Sequence, residues 1–407
     1  MKSKAALFIN YLNLASALLL TSLSIYKLDY QRLTLYIFFI SYFIEIFTDK
    51  KWHNIKFKNN HIYYLTIGAF FLLGLAYLPF ESDKEYFSHH LNKRLPLLGI
   101  AVIGFLGVND KYRLSYFLKT LVASSVIALT YLFVIKLNII DLLQDVKWQD
   151  TIALTRRKYI NEHMMFNFYL NITLVSIWYL TSKGYKELKT SSKIFYLSVS
   201  LLIICTLMMS EGRSGILAFI ITSLLLVFLQ IWRKAAKLAI TAVLLIVVAG
   251  SITISKHPRF SVDYIEHEPR VFLWQSAINV ISNQSILGNG ISTAQSKFDK
   301  SRANYQTEEF RLTWQNHKYL DSHNQYLQTT MEFGILGLLL LLTIYTCPIL
   351  TIDSERKLLA SLWLFLIIFQ SIFDMFITGQ FSMFFGIIIL CLLSIKNDVT
   401  QKNQIQL

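Results

Sequence analysis

"YLDSHNQYLQTTMEFGILGLLLLL", residues 319–342, opens polar and closes as almost pure hydrocarbon. An apolar run that continues to about residue 352 has the length of about 20 residues needed to cross a bilayer as a helix. The stretch therefore reads as a membrane span entered through a polar helix start, with Asp321 or Ser322 placed to cap it. His323 and Asn324 then precede the apolar run by roughly two to three helical turns. A histidine–asparagine pair held at the water–lipid boundary needs a reason, which depends on the side it faces and on its neighbours.

Runs of the same kind recur along the chain. Of its 407 residues 54% are hydrophobic and only 16% are charged, against about 25% charged in soluble proteins; the mean hydropathy is +0.45. This makes the chain an all-α polytopic membrane protein. About 12 transmembrane helices are predicted, near 5–27, 33–48, 62–80, 95–109, 115–139, 165–181, 193–211, 214–232, 237–255, 333–352, 357–377 and 380–396. The segment 95–109 is short, so 11 or 12 spans fit. The opening "MKSKAALFINYLNLASALLL" has the basic start of a signal peptide. Its apolar stretch is too long for one and ends in no small-residue cleavage site, so it reads as an uncleaved first helix.

The net charge of +14 is a topology signal and implies no nucleic-acid partner. The connections "DKKWHNIKFK" (49–58), "SKGYKELKTSSK" (182–193) and "RKAAK" (233–237) are basic and fall on one side, as cytoplasmic loops do. Both termini are then cytoplasmic. The opposite side carries 81–94, 140–164, 211–213, 378–379 and the long loop 256–332, where eight Lys/Arg balance eight Asp/Glu. The organisation is one membrane domain: spans 1–9 over 1–255, the loop 256–332 with short amphipathic helices, spans 10–12 over 333–396, and a tail 397–407. Cys205, Cys347 and Cys391 all lie in apolar runs, which implies no disulfide framework.

Polar chemistry collects at three outward places. In "MMSEGRSGILAF" (208–219) Glu211 and Arg213 interrupt nearly continuous hydrocarbon, either as a tight turn with the two paired or as a site in use. In "HEPRVFLWQSAINVISNQSILGNGIS" (267–292) Val271, Trp274, Ala277, Ile278 and Ile281 mark a short amphipathic helix behind Pro269, its apolar face on the membrane domain or in the interface. Arg270 falls in its first turn, where the helix dipole disfavours a cation. It therefore wants a partner: Glu266, Glu268 or an anionic ligand. "GNG" (288–290) is a sharp turn. The third place is His323–Asn324 itself, which an interfacial, backbone-bonding role would also explain. "TRRKYINEHMMF" (155–166) adds Arg156, Arg157 and His163 before the sixth span, as an extension of a cationic site or as a solvated basic turn. Tyr159, Trp274, Trp314 and Tyr326 suit sugar stacking or the aromatic belt.

Histidines at 89, 90, 257 and 267 lack metal-ligand spacing, and no Walker A, GxGxxG or GxSxG pattern occurs. No metal and no cofactor is expected. Chemistry on the outer side has no ATP, so a bond made there needs an activated donor. Arginines with a histidine suit a lipid-linked diphosphate: guanidinium groups bind phosphate oxygens in pairs and remain charged, and a neutral imidazole can take a proton from an attacking hydroxyl.

The sequence resembles the O-antigen ligase / O-antigen polymerase superfamily of bacterial envelope polysaccharide glycosyltransferases. "GRSGILA" (212–218) is similar to its Ser-Arg-Gly-type motif, with Gly212 where Ser is commoner. "RVFLWQSAINVISNQSILGNGIS" (270–292) is similar to its Arg-then-Trp helix, and "SHNQYLQTTMEFGILGL" (322–338) to its His-Asn motif. The resemblance implies a GT-C-like fold in the bacterial inner membrane, with the periplasmic loop between spans 9 and 10 capping a cavity. It also implies metal-independent, inverting transfer of a glycan from undecaprenyl diphosphate to a sugar hydroxyl. Carried over, Arg213 and Arg270 hold the diphosphate, His323 activates the acceptor, and Asn324, Arg156, Arg157, His163 and Glu211 are substrate-binding candidates.

The acceptor separates two readings. A ligase uses lipid A-core; a polymerase uses another lipid-linked repeat unit. The His-Asn motif and "FGILGL" are closer to the ligase pattern. A transporter of lipid-linked glycans is the rival of another class, but it would favour repeat symmetry and ionisable groups near the midplane. Here the charges gather at one surface around one asymmetric loop.

Overall fold

The computed structural model of this chain describes residues 4–26, 29–48, 59–107, 113–136, 155–156, 158, 160, 162–184, 188–210, 212–231, 235–238, 240–241, 244–245, 247–248, 251, 269–283, 286–303 and 320–393. Its helices are α1 (Lys4–Leu23), α2 (Asp29–Thr48), α3 (Asn59–Ala76), α4 (Lys84–Asn92), α5 (Leu95–Leu106), α6 (Leu114–Thr130), α7 (His163–Gly184), α8 (Thr190–Met209), α9 (Arg213–Ile231), α10 (Pro269–Asn283), α11 (Ile291–Arg302), α12 (Gln325–Thr351), α13 (Ser354–Gln370) and α14 (Gly379–Leu393). Most are apolar nearly all round, as helices facing both lipid and one another must be.

Among the described residues, five helical stretches are long and apolar enough to cross a membrane: Ala6–Leu23, His61–Phe80, Leu114–Lys136, Thr190–Met209 and Gln325–Thr351. Leu33–Thr48, Leu95–Leu106, Arg213–Leu229 and Phe384–Leu393 are shorter apolar helices. About half of the predicted span 237–255 lies outside the described residues. The predicted span 357–377 stops being helical at Gln370, and a turn follows it.

The helices are joined by packing and by polar contacts between them, which membrane bundles use in place of a hydrophobic driving force. Asn13 donates to Phe38 O at 3.0 Å, tying α1 to α2. Tyr169 donates to Thr21 O at 2.9 Å, tying α7 to α1. Asn171 donates to Gly215 O at 3.1 Å, tying α7 to α9.

The feature that positions the functional residues is a break in α12. Gly334 has φ 62° and ψ −158°, a region open essentially to glycine alone. On a straight helix Tyr326 and Tyr345 would stand about 28 Å apart; their ring centroids are 6.1 Å apart. Gln325 N donates to Ser371 O at 2.8 Å, and Tyr345 shares a 2.7 Å bond with the Ser371 hydroxyl. A Cβ at Gly337 would lie 3.3 Å from Thr329 Cγ2, a pair about 12 Å apart on a continuous helix. The first leg, Gln325–Phe333, therefore folds back at an acute angle along the second. Gly337 is the small residue that lets the legs close.

A turn of the inserted segment fills the break. Asn289 N donates to Met331 O at 2.9 Å, Gly290 N to Glu332 O at 2.8 Å, and Ile335 N to Ile286 O at 3.2 Å. These bonds satisfy backbone groups that the break frees, a requirement wherever water is scarce. Gly288 (φ 75°) has no room for a side chain: a Cβ there would lie 2.4 Å from Gly334 N. Glu81, just beyond α3, holds the next helix start, accepting from Ile291 N at 2.5 Å and Ser292 N at 2.7 Å. A carboxylate there also complements the α11 dipole.

The predicted amphipathic helix behind Pro269 exists as α10, with its buried face rotated from the predicted one. Leu273, Ala277 and Val280 are buried, while Val271 (39% exposed) and Ile278 (53%) face outward. The reason is its company: α10 packs with α11 and α12, burying Leu273 and Ala277 with Phe298 and Met331.

Candidate functional site

The His323 segment is built by short-range polar contacts. His323 is the one described non-glycine residue with positive φ, at 46°, a conformation costing of order 1–3 kcal/mol that folds retain mainly at functional sites. Its N–H donates to Asp321 Oδ1 at 2.9 Å. Asn324 follows in extended conformation, and its Oδ1 accepts from Tyr326 N and Leu327 N, both at 3.0 Å. The N-cap is thus Asn324, in place of the predicted Asp321 or Ser322. The left-handed turn at His323 keeps Ser322 against the helix start: its hydroxyl donates to Asn324 O at 3.0 Å and its N–H to Gln328 Oε1 at 3.2 Å.

His323 Nδ1 lies 3.6 Å from Asp321 Oδ1 and 3.6 Å from Asp374 Oδ1. These are charge contacts, longer than well-formed hydrogen bonds. Burial pulls the imidazole pKa down, but the Asp374 contact and the Asp321 charge outweigh it, so His323 is held above 6.5. Arg270 acts in the opposite direction on the same ring. The Asp321 carboxyl is pushed above its ordinary value, by burial first and by Asp374 in addition, with His323 opposing. Asp374 sits in the turn after α13, where its Oδ1 accepts from Met375 N at 2.8 Å.

Arg270 is the second residue of α10, and its Nη2 stands 4.0 Å from Met164 Sδ. The same sulfur meets the Ser214 hydroxyl at 3.4 Å and Gln370 Nε2 at 3.6 Å. Met164, near the start of α7, is therefore where α7, α9, α10 and α13 converge. Arg213 is the first residue of α9, one position before Ser214. A Cβ at Gly212 would come within 2.4 Å of Asn167 Nδ2 and 3.2 Å of His163 Cδ2. Asn167 thus occupies the space a larger residue would need, and His163 borders the Arg213 turn.

The structure brings His323, Arg270 and the Arg213 helix start into one neighbourhood, with His163 at its edge. Asn324 faces its own helix as a cap. Arg156 is buried, its guanidinium 6.0 Å from the Phe166 ring centroid. Arg157, Glu211, Glu266, Glu268, Tyr159 and Trp314 lie outside the described residues. Trp274 leans on Phe373 at 6.4 Å, and Tyr326 donates to Ile368 O at 2.9 Å, so both aromatic groups serve packing here.

Two elements escaped the sequence reading. Asp374 stands alone in "IIFQSIFDMFITG", and an isolated acid in an apolar run is itself a functional signal. Arg94 and Glu332 form a buried ion pair, Nη2 to Oε2 2.5 Å, with both side chains 2% exposed. Gln328 donates to the other Glu332 oxygen at 2.9 Å, so the pair fixes the first leg of α12 against the start of α5.

Residues 198–342 match the family described as O-antigen ligase. That is about a third of the chain, and over it the sequence is similar to the O-antigen ligase and polymerase superfamily. The matched region runs from within α8 to within α12 and holds Arg213, Arg270 and His323. The apolar helices make this a polytopic α-helical membrane protein, and the match places an O-antigen ligase-like region within it. Asp374 and His163 come to the site from parts of the chain beyond the matched region. No curated protein matches the chain.

Proposed function

We propose that this protein is an O-antigen ligase-like glycosyltransferase of the inner membrane, moving a glycan from undecaprenyl diphosphate to a sugar hydroxyl of lipid A-core on the periplasmic face. The observation that carries the proposal is the His323 imidazole set between Asp321 and Asp374, with Arg270 meeting Met164 where the helices of the site converge. With Nδ1 turned to the carboxylates, Nε2 takes the proton of the acceptor hydroxyl. The two acids stabilise the imidazolium that forms, as a buried carboxylate does in other His–acid pairs. The acceptor oxygen attacks the anomeric carbon, and the bond to the diphosphate oxygen breaks on the opposite face. The diphosphate leaves with the bonding electrons, and configuration inverts.

Arg213 and Arg270 receive that charge. Each sits at the start of a helix with no acidic residue in its first turn, a place unfavourable to a cation and favourable to an anion. Two guanidinium groups in that setting neutralise a diphosphate without a metal ion. Arg156, Arg157, Glu211 and His163 are assigned substrate-binding roles on the family resemblance. Asn324 acts by capping the leg that carries His323, which makes it a positioning residue. About twelve spans, cytoplasmic termini and the 256–332 insertion on the periplasmic side complete the proposed topology.

Deleting the gene and examining glycolipids tests the reading. Bare lipid A-core with accumulated lipid-linked polymer, restored by wild type and not by His323→Ala, is the expected result. Core bearing a single repeat unit would identify a polymerase, and unchanged glycolipids would overturn both.

A further inference from the structure

The turn that plugs the break in α12 carries two large apolar side chains outward. Ile286 is 73% exposed and Leu287 67%, although the backbone between them and Gly290 is fixed at several points. Ile286 O accepts from Ile335 N, and the Tyr77 hydroxyl donates to Leu287 O. Two apolar side chains held rigidly outward would cost roughly 1.5–3 kcal/mol each in water.

Their surroundings identify what covers them. Tyr77 belongs to the stretch His61–Phe80, and Ile335 opens the second leg within Gln325–Thr351; both stretches are apolar enough to cross a membrane. On the first, Ile62, Leu65, Leu72, Leu75 and Leu78 form an exposed stripe at helical spacing, ending at Phe80, 77% exposed. On the second, Ile335, Leu336, Leu339 and Leu342 form another. Ile286 and Leu287 sit where the upper ends of these two stripes meet, so the lipid-facing surface continues across the turn.

We propose that the 286–287 turn is a lipid contact of the inserted segment, with bilayer acyl chains as its partner. The segment from α10 to α11 is then anchored at its tip in hydrocarbon. α10 reaches from that anchor to the diphosphate-facing Arg270 as a strut about 22 Å long for its 15 residues. The polar end of the hairpin, with Asp299, Lys300 and Arg302 in the last turn of α11, points away from the tip.

Electron paramagnetic resonance on the full chain in lipid nanodiscs tests this without reference to activity. A nitroxide is attached at Leu287→Cys, with Cys205 and Cys347 replaced by Ser. Reference labels sit at Leu339→Cys, on the lipid-facing stripe, and at Lys300→Cys, at the polar end. Oxygen collisions should exceed those of a water-soluble nickel chelate at Leu287, as at Leu339 and in reverse of Lys300. Ile286→Cys, measured in parallel, guards against a misfolded variant and should agree. Nickel accessibility at either position equal to that at Lys300, in protein that elutes as a single folded species, would overturn the proposal.

Discussion

Replacing Gly334 with alanine tests whether α12 is folded back. Its φ of 62° and ψ of −158° cost a residue bearing a Cβ of order 1–3 kcal/mol. The added carbon would also stand 2.1 Å from Ile286 O, well inside contact distance, and backbone cannot rotate away as a side-chain tip can. The 286–290 turn must move, which disrupts three backbone hydrogen bonds at about 1 kcal/mol net each, roughly 3 kcal/mol in all. The expected loss is therefore about 4–6 kcal/mol. Gly107 is the control: it too has positive φ, at 95°, but a Cβ there meets nothing within 4 Å. Gly107→Ala should cost only the conformational part, about 1–3 kcal/mol. Equilibrium unfolding in mixed detergent–SDS micelles measures both. A gain of about 1 kcal/mol from Gly334→Ala would refute the fold-back, because a straight helix prefers alanine to glycine by that amount.

The acid pair around His323 predicts a pH effect with a definite sign. The base works unprotonated, and its pKa is held above 6.5 in part by Asp374, so activity should fall as pH drops through that raised value. Asp374→Asn removes a raising influence and should shift the acid limb of the rate profile to lower pH, with a slower maximum; an unmoved limb would show that the carboxylate does not act on His323. Arg94→Met strands the Glu332 carboxylate and should cost about 3–5 kcal/mol, most of it recovered when Glu332→Leu is added. A loss under about 1 kcal/mol would mean the pair behaves as an exposed one. Asn324→Ala should cost about 1 kcal/mol through the lost cap, and Asn324→Asp should recover it; unfolding curves of the two variants decide.

The fold class was legible because apolar runs of span length have few other uses, and the 333–352 reading began one residue before the break at Gly334. The break itself was partly visible as "EFGILG", two glycines three residues apart at a span boundary. Its fold-back was not, because that depends on a turn about 45 residues earlier in the chain supplying the bonds that make it possible. The arginines and His323 stood out as costly charges beside hydrocarbon. Asp374 was passed over because an apolar run conceals where a helix ends, and α13 stops at Gln370. Asn324 was read as a substrate residue, whereas its oxygen is engaged by Tyr326 N and Leu327 N.

The most direct test of the account is a transfer reaction with purified components. Wild-type protein in lipid is mixed with an undecaprenyl-diphosphate glycan and lipid A-core, with no nucleotide, and the acceptor is followed by mass spectrometry. The account predicts that the acceptor gains the glycan with inverted anomeric configuration, and that His323→Ala, folded to the same degree, yields none. Full transfer by His323→Ala, or no new glycosidic bond with wild type on either lipid A-core or a second lipid-linked unit, would contradict it.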